Sequence, residues 1–275
     1  MVLPQRDNRT NICVTKMACM KRVLCIILMS MLFPAASFGG ETITVRSDEW
    51  MPFNGQPGDD QYPGFAVEIM KTIFEEKGYV IDYQVMPWTR SLVSVGDGTY
   101  DAVIAATQGE AKGFVFPEEP LYTLSADTFY VLKDTDWQYN GIDSLLRVRL
   151  GVIADYEYSD RLIDYIKSFE KTERIRVEYG DSAHLNMIRS LLEGYVDVIV
   201  DSPSVFSWEI RRWKISADAF KSAGVGEQRR WPIYIAFSPN RETSRAYAQI
   251  FDSGMRKLKE SGRLKELLRK YMLDN

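Results

Sequence analysis

Few residues in this sequence could carry out chemistry, and their spacing does not indicate a nucleophilic or metal-assisted reaction. His184 is the only histidine, and all three cysteines lie within the first 25 residues. Ser-His-Asp, Cys-His and paired-carboxylate spacings are absent, so the sequence predicts neither covalent catalysis nor a zinc site. We expect no catalytic centre, no metal and no cofactor. His184 follows Asp181 and Ser182, a capping sequence, and is predicted to be a surface residue in the first turn of a helix.

An arginine and a tryptophan at the start of a predicted helix are candidates for binding. The sequence Pro87-Trp88-Thr89-Arg90 places Arg90 in a first helical turn, because proline suits that position. The hypothesis is that Trp88 and Arg90 lie at the mouth of a cleft and hold an anionic or planar group. The alternative is an ordinary surface arginine with Trp88 in the core.

Trp50 is a third candidate, because it follows a predicted strand at residues 42–46 in a loop broken by Pro52. Open α/β sheets bind ligands beyond the carboxyl ends of their strands. Trp50 is therefore predicted to contact a ligand, whereas Phe53 is predicted to pack in the core.

The first 39 residues have the pattern of a secretory signal peptide. Lys21 and Arg22 precede a run of eleven apolar residues, and small residues follow. A membrane-spanning helix needs about 20 apolar residues, so the run is too short to span a bilayer. We expect translation from Met17 or Met20, cleavage near residue 39 or 40, and export to the periplasm. A retained membrane anchor is the alternative.

Removal of residues 1–39 changes the charge and the cysteine content. That segment contains five basic residues, one acidic residue and all the cysteines, so 29 basic and 37 acidic side chains remain, a formal charge of −8. A chain without cysteine suits an oxidising compartment. Nucleic acid is not an expected partner, because phosphate binding needs a basic surface.

The rest of the sequence alternates between strand and helix patterns. The first round comprises predicted elements at residues 42–46, 64–78, 79–86, 87–96 and 101–106, and the second at 148–153, 159–170, 174–179, 183–193 and 196–200. This alternation predicts an α/β fold with two lobes, each a mostly parallel sheet flanked by helices. Two β-rich segments, 128–133 and 233–238, are predicted to cross between the lobes, and two amphipathic helices to end the chain.

Short motifs occur in a fixed order along this pattern. They are Gly64-Phe65-x-x-Glu68-Ile69, Gly98-x-x-Asp101-Ala102 with Gly194-x-x-Asp197-Val198, Phe114-x-Phe116-x-x-x-Pro120-Leu121-Tyr122, and Gly262-Arg263-Leu264 with Lys270-Tyr271-Met272. Together, over residues 41–275, they resemble the extracellular solute-binding proteins of family 3, the substrate-binding subunits of polar amino-acid ABC transporters. The Pro-Trp-x-Arg motif marks the chain as a divergent member.

The resemblance implies a periplasmic-binding-protein-like (type II) fold, in which two lobes joined by two crossing strands close around a ligand. We expect residues 40–127 plus 234–275 in lobe 1 and residues 128–233 in lobe 2. Contacts to both lobes exist only in the closed state, so ligand shifts the population towards closure. The implied protein is a periplasmic monomer that presents a small polar ligand to an ABC transporter membrane subunit or a sensor.

In family members, an arginine of lobe 1 grips the α-carboxylate of an amino acid. The resemblance places Thr107 in the corresponding segment, but Ala111 occupies the position of the arginine. Lys112 cannot supply the same planar fork. This departure argues against an ordinary α-amino acid as the ligand, and Arg90 is the predicted replacement cation.

In lobe 2, the resemblance implies that Asp201 holds an ammonium group, with Ser202 as a neighbouring hydrogen-bonding residue. A loop containing Tyr156 and Tyr158 stands where a small turn is usual. These two rings are predicted to reshape the pocket or to cover the following helix.

The expected function is the binding of an amino-acid-like solute or another small organic ion, for uptake or sensing. An enzyme on the same fold, such as a dehydratase of small cyclic acids, is the alternative. Such an enzyme needs a general acid in the cleft, for which Glu157 or Asp155 could serve.

Overall fold

The computed structural model describes residues 1–2, 40–154, 156–180, 182–227 and 231–274. The predicted signal peptide with its cysteines, and Asp155, lie outside these ranges. Within them, no helix combines the length and the apolar character needed to cross a membrane.

The first sheet gathers strands from both ends of the described chain, in the order β2-β1-β3-β10-β4. Its strands are β1 (Thr42–Ser47), β2 (Val80–Val85), β3 (Ala102–Ala106), β4 (Tyr122–Leu124) and β10 (Trp231–Phe237). β1 is parallel to β2 and β3, whereas β10 is antiparallel to β3 and β4. The helices of this part of the chain are α1 (Phe65–Glu75), α2 (Trp88–Gly96), α6 (Ser244–Glu260) and α7 (Arg263–Lys270).

The second sheet has the order β7-β6-β8-β5-β9. Its strands are β5 (Thr128–Leu132), β6 (Leu150–Ile153), β7 (Ile175–Glu178), β8 (Val198–Asp201) and β9 (Phe220–Val225). β6 is parallel to β7 and β8, whereas β5 is antiparallel to β8 and β9. Three α-helices, α3 (Asp160–Phe169), α4 (Ala183–Leu192) and α5 (Pro203–Arg212), and two 3-10 helices, Ile142–Arg147 and Ala217–Ala219, lie in this part.

Burial explains which segments form the centre of each sheet. All five residues of β3 and all four of β8 are buried. A strand covered on both faces is apolar at successive positions, as β3 is with its sequence Ala-Val-Ile-Ala-Ala. β1 alternates more clearly, with buried Ile43 and Val45 facing the same core.

The predicted fold class is confirmed, with a correction to the pairing. Each sheet is mixed, because its first three strands pair in parallel and its last two in antiparallel fashion. β5 lies wholly in the second sheet and β10 in the first, so the chain passes between the sheets after Leu124 and after Val225. Trp231 pairs with Leu124 in the first sheet. The division into lobes at residues 127/128 and 233/234 stays a prediction.

Helix α5 was not predicted, and it connects the two cores. Val205 and Trp208 belong to the core of the first sheet, whereas Phe206 and Ile210 belong to a core of the second. Residues three or four apart share a helix face, so these two pairs occupy different faces of one helix. Ser202 before Pro203 is a start signal that could have revealed the helix.

Candidate functional site

A cavity lies where the chain leaves the central strands of both sheets. Asp48 and Trp50 follow β1, Thr107 follows β3, Tyr156 follows β6, and Ser202 follows β8. The cavity has a volume of about 110 Å³. This is room for a small organic molecule. The position agrees with the rule that α/β sheets bind ligands beyond the carboxyl ends of their strands.

The structure brings most of the predicted site residues to this cavity. Five of the seven line it: Trp50, Trp88, Thr107, Tyr156 and Ser202. Asp201, the last residue of β8, lies behind Ser202 with a fully buried side chain. Its carboxylate accepts a hydrogen bond of 2.8 Å from the Ser202 backbone N–H. The roles of these residues in binding stay predictions.

Arg90 is exposed and does not line the cavity, in contrast to the prediction that it faces a cleft with Trp88. The two residues are two positions apart at the start of α2. Two steps of an α-helix turn the side chain by about 200°, so the residues point to nearly opposite sides. Trp88 is the one that faces the cavity and packs on the cluster around Val95.

Ala111, which is predicted to stand at the position of the family's arginine, is fully buried in a small apolar cluster with Val103 and Ala236. Lys112 is exposed, and it does not line the cavity. Neither residue therefore offers a positive charge to a ligand.

Four carboxylates line the cavity: Asp48, Glu110, Asp127 and Glu157. Burial raises the pKa of Asp48 to about 6, although hydrogen bonds from its own backbone N–H and from Ser47 oppose the shift. Burial, and then the charge of Asp201, raises the pKa of Asp127 to about 7. No basic side chain belongs to the part of the lining that the structure describes. A cation in the cavity would stabilise the ionised form of both aspartates.

Thr107 contacts two of these carboxylates. Its hydroxyl lies 2.8 Å from Oε2 of Glu110 and 3.1 Å from Oε2 of Glu157. The Thr107 backbone N–H also donates to Glu110 over 2.9 Å. Because Thr107 follows β3 and Glu157 follows β6, this contact joins segments of the two sheets across the cavity.

His184, near the start of α4, is part of a hydrogen-bonded chain next to the cavity. The prediction that it is a surface residue is wrong, because only 19% of its side chain is exposed. Its Nε2 lies 3.3 Å from the Tyr156 hydroxyl, and its Nδ1 lies 3.2 Å from Oδ2 of Asp201. The indole N–H of Trp50 donates to the same Tyr156 hydroxyl.

Aromatic rings form much of the remaining wall. Trp50, Trp88, Tyr156 and Trp231 all line the cavity. The Trp50 and Tyr156 rings meet edge to face, with centroids 6.2 Å apart. Aromatic faces attract organic cations as well as planar groups, so these walls are compatible with the acidic lining.

Asp48, Asp127, Trp231 and His184 were not identified as site residues from the sequence. Asp48 directly follows β1, and the strand-end rule that singled out Trp50 applies equally to it. Asp127 lies in the segment between β4 and β5, and Trp231 is the first residue of β10, and no local signal marks either residue. His184 could be placed only once α4 was known to lie against the end of β8.

Among the described residues, no group of three or more histidine, cysteine or carboxylate side chains is arranged to hold a metal ion. The sequence profile of the bacterial extracellular solute-binding proteins, family 3, matches residues 43–274. The L-cystine-binding protein TcyJ of Bacillus subtilis (strain 168) is 23% identical over 216 residues, which are 76% of this chain and 75% of that protein.

Solved structures share the fold at low sequence identity. A Streptococcus mutans structure, described for glutathione import via GshT and the cystine ABC importer TcyBC, has a TM-score of 0.68 at 18% identity and covers 84% of this chain and 95% of its own. An ancestral arginine-binding protein bound to arginine has a TM-score of 0.64 at 18% identity, with coverages of 84% and 97%. The ancestral amino acid-binding protein AncCDT-1, a precursor of cyclohexadienyl dehydratase, has a TM-score of 0.63 at 17% identity, with coverages of 84% and 94%.

Proposed function

Because the chain belongs to the bacterial extracellular solute-binding proteins, family 3, we propose that its solute is a small organic cation without an α-carboxylate. Membership of the family makes the protein a binder of small solutes, and the cavity supplies the argument for charge. We further propose that it acts in the periplasm as a monomer and delivers the solute to the membrane subunits of an ABC importer. The family is extracellular, which supports this location.

The observation that carries the proposal is the pair of half-buried aspartates in the cavity wall. Burial makes the ionised forms of Asp48 and Asp127 costly, which is why the pKa values of both are raised, to about 6 and about 7. A ligand ammonium group would replace the lost hydration with charge-assisted hydrogen bonds. An anionic ligand would meet further repulsion from the same two carboxylates.

The residue that replaces the expected arginine supports the same conclusion. The Bacillus subtilis relative binds L-cystine and one ancestral protein of the same fold binds arginine, and both ligands are α-amino acids. In this chain, buried Ala111 offers no guanidinium to a carboxylate, and exposed Arg90 does not line the cavity. An amine that lacks the carboxylate fits this lining better than its parent amino acid does.

Thermal-shift measurements with matched pairs of solutes test the proposal. Lysine with cadaverine, and arginine with agmatine, differ by the carboxylate alone, and succinate serves as an anion. A ligand at about 100 times its Kd stabilises the protein by about 2.7 kcal/mol, which raises Tm by about 5 °C or more. We expect such shifts from amines and not from their parent amino acids or from succinate. Equal or larger shifts with the amino acids or the anion would overturn the proposal.

Variants connect the shift to the cavity. Asp48→Asn and Asp127→Asn should each reduce amine affinity by about tenfold or more, because each removes a charged hydrogen-bond acceptor. Asp134→Asn is the matched control, since Asp134 is exposed and does not line the cavity. The double variant Arg229→Gln/Arg230→Gln, outside the described residues, should leave amine binding in place. If that double variant instead abolished binding of an organic acid, the ligand would be an anion.

An enzyme on this fold is the competing function. One feature of the cavity is a reason to test for enzymatic turnover as well as for binding. The pKa values of Asp48 and Asp127, raised to about 6 and about 7, would also suit a general acid. Glu157, one of the two residues predicted as a general acid, lines the cavity as well, whereas Asp155, the other, lies outside the described residues. We propose binding without turnover, so solutes that shift Tm should be recovered unchanged by mass spectrometry after long incubation. Product formation would establish an enzyme.

A further inference from the structure

Four side chains form a continuous hydrogen-bonded chain from the first sheet to the interior of the second. Trp50 donates from its indole N–H to the Tyr156 hydroxyl. His184 Nε2 lies 3.3 Å beyond that hydroxyl, and His184 Nδ1 lies 3.2 Å from Oδ2 of buried Asp201. Tyr156 lines the cavity, whereas His184 does not. His184 therefore does not contact a ligand itself, and Tyr156 is the member of the chain through which its hydrogen bonding reaches the cavity.

Which groups of this hydrogen-bonded chain donate and which accept depends on one proton of His184. Asp201 is an acceptor, so Nδ1 of His184 carries a hydrogen in both protonation states. In the neutral imidazole, Nε2 is an acceptor and receives the Tyr156 O–H. In the imidazolium, Nε2–H is a donor, so Tyr156 accepts from both His184 and Trp50 and its own hydrogen turns elsewhere.

The two arrangements present opposite polarity to the cavity. With neutral His184, the Tyr156 oxygen keeps a lone pair for a ligand N–H, since its hydrogen is engaged with Nε2. With protonated His184, both lone pairs are occupied and the free O–H is a donor. The imidazolium charge would also repel a cation.

We propose that His184 is a specificity-determining positioning residue, whose proton decides whether Tyr156 offers an acceptor or a donor to the bound solute. The neutral form favours cationic solutes, and the protonated form favours solutes with acceptor groups. The charge of the preferred solute rests on the proposed function. The change of the Tyr156 hydroxyl from acceptor to donor does not.

The charged groups around His184 determine the pH range in which this residue loses its proton. Burial alone would lower the pKa of His184, but the charge and hydrogen bond of Asp201, followed by the charges of Glu209 and Asp48, raise it. The groups that face the ring are Asp201 from β8, Glu209 from α5, Asp48 from the loop after β1, and the Tyr156 hydroxyl. Cation affinity should therefore rise with pH as His184 loses its proton above its ordinary range.

Because His184 is the only histidine, NMR of its ring nitrogens in untagged full-length protein tests the inference directly. At high pH the free protein should show the tautomer with hydrogen on Nδ1. Cadaverine should lower the pKa of His184 by about one unit for each tenfold preference for the neutral form, since linkage is reciprocal. An Nε2–H tautomer at high pH, or a pKa that no bound solute alters, would overturn the proposal.

Variants separate this effect from the titration of the cavity aspartates. His184→Gln and Tyr156→Phe should each reduce the ratio of cadaverine affinities at about pH 8 and pH 6, by about threefold or more, and the double variant should add little because the two residues act as one unit. Tyr158→Phe is the matched control, because Tyr158 lies in the same segment and is more deeply buried than Tyr156 but does not line the cavity. An unchanged ratio in His184→Gln would contradict the inference.

Failure of the proposed function and failure of the inference about His184 give different experimental results. If succinate rather than an amine binds, the proposed ligand class is wrong, but the pKa of His184 should then rise on binding, because an anion accepts the freed Tyr156 O–H. If amines bind and the pKa of His184 stays constant, the proposed function stands and this inference fails.

Discussion

Arg212, the last residue of α5, donates from Nη2 to Oε1 of Glu49 over 2.9 Å. Glu49 lies between Asp48 and Trp50 on the loop after β1, whereas α5 follows β8 of the second sheet. This ion pair therefore joins segments of the two sheets beside the cavity. It adds to the hydrogen bond between Trp50 and Tyr156 and to the contact between Thr107 and Glu157.

Loss of the ion pair should weaken solute binding modestly. Arg212 is 41% exposed, so solvent screens the pair and its contribution is about 0.2–1 kcal/mol. We expect Glu49→Gln to reduce the affinity for the bound amine by about 1.4- to fivefold, with a smaller loss at high salt. Isothermal titration calorimetry at two salt concentrations checks this. Lys214→Gln, an exposed neighbour, is the control, and an equal loss in that variant would disconnect the effect from the pair.

The cavity aspartates should make the ligand-free protein less stable as pH rises. The pKa values of Asp48 and Asp127 are about 6 and about 7 in the folded state, against 3.8 as the ordinary value. Protonation therefore favours the folded state. The stability that the two groups contribute is fully present below about pH 4 and is lost as pH rises through about 6 and 7.

Asp48→Asn should remove its part of this loss and stabilise the ligand-free protein at about pH 8 by at most about 3 kcal/mol, since the pKa shift from 3.8 to about 6 spans about two units of about 1.4 kcal/mol each. Urea unfolding at about pH 5 and pH 8 measures the difference. Asp134→Asn should leave the pH profile unchanged. A variant that is less stable than the wild type at pH 8 would show that Asp48 has a structural role instead.

Trp208 should contribute strongly to stability, because it anchors α5 in the core of the first sheet. Its ring lies 5.3 Å from that of Tyr62 and 5.8 Å from that of Tyr271, measured between centroids. Truncation of a buried tryptophan costs about 3–5 kcal/mol. We expect Trp208→Ala to lower the free energy of unfolding by this amount. Trp213→Ala, at the exposed end of the same helix, should cost about 1 kcal/mol or less.

Gly254 in α6 should be intolerant of alanine, although alanine favours helices. A Cβ atom at this position would lie 2.4 Å from Cγ2 of Ile73 in α1. Overpacking costs about 1–3 kcal/mol, which exceeds the helix-propensity gain of about 1 kcal/mol. Thermal unfolding of Gly254→Ala should show a lower Tm. Ser253→Ala, at an exposed position of the same helix, should leave Tm unchanged or slightly raised.

Local patterns were sufficient for most of the fold. In α1, β3 and β8, buried positions recur regularly within one short segment. The apolar residues therefore follow helical spacing in α1 and form continuous runs in β3 and β8, which a single sequence is enough to reveal. Helix α5 was missed because its apolar residues serve two cores on different faces, which obscures a single apolar stripe. The short strand β4 was missed because three residues carry little pattern.

The sequence by itself determined the alternation of strands and helices, the likeness to family 3, and the placement of Trp50, Trp88, Thr107, Tyr156 and Ser202 at strand ends or helix starts. Only the tertiary structure decided the charge and the connections of the cavity. It turned Arg90 to the outside, buried Ala111, brought Asp48 and Asp127 into one wall, and joined His184 to Tyr156 and Asp201. The reason is physical: side-chain direction and long-range pairing depend on how helices and strands pack, and residues as distant in sequence as Trp50 and Tyr156 acquire a relationship only when the two sheets meet.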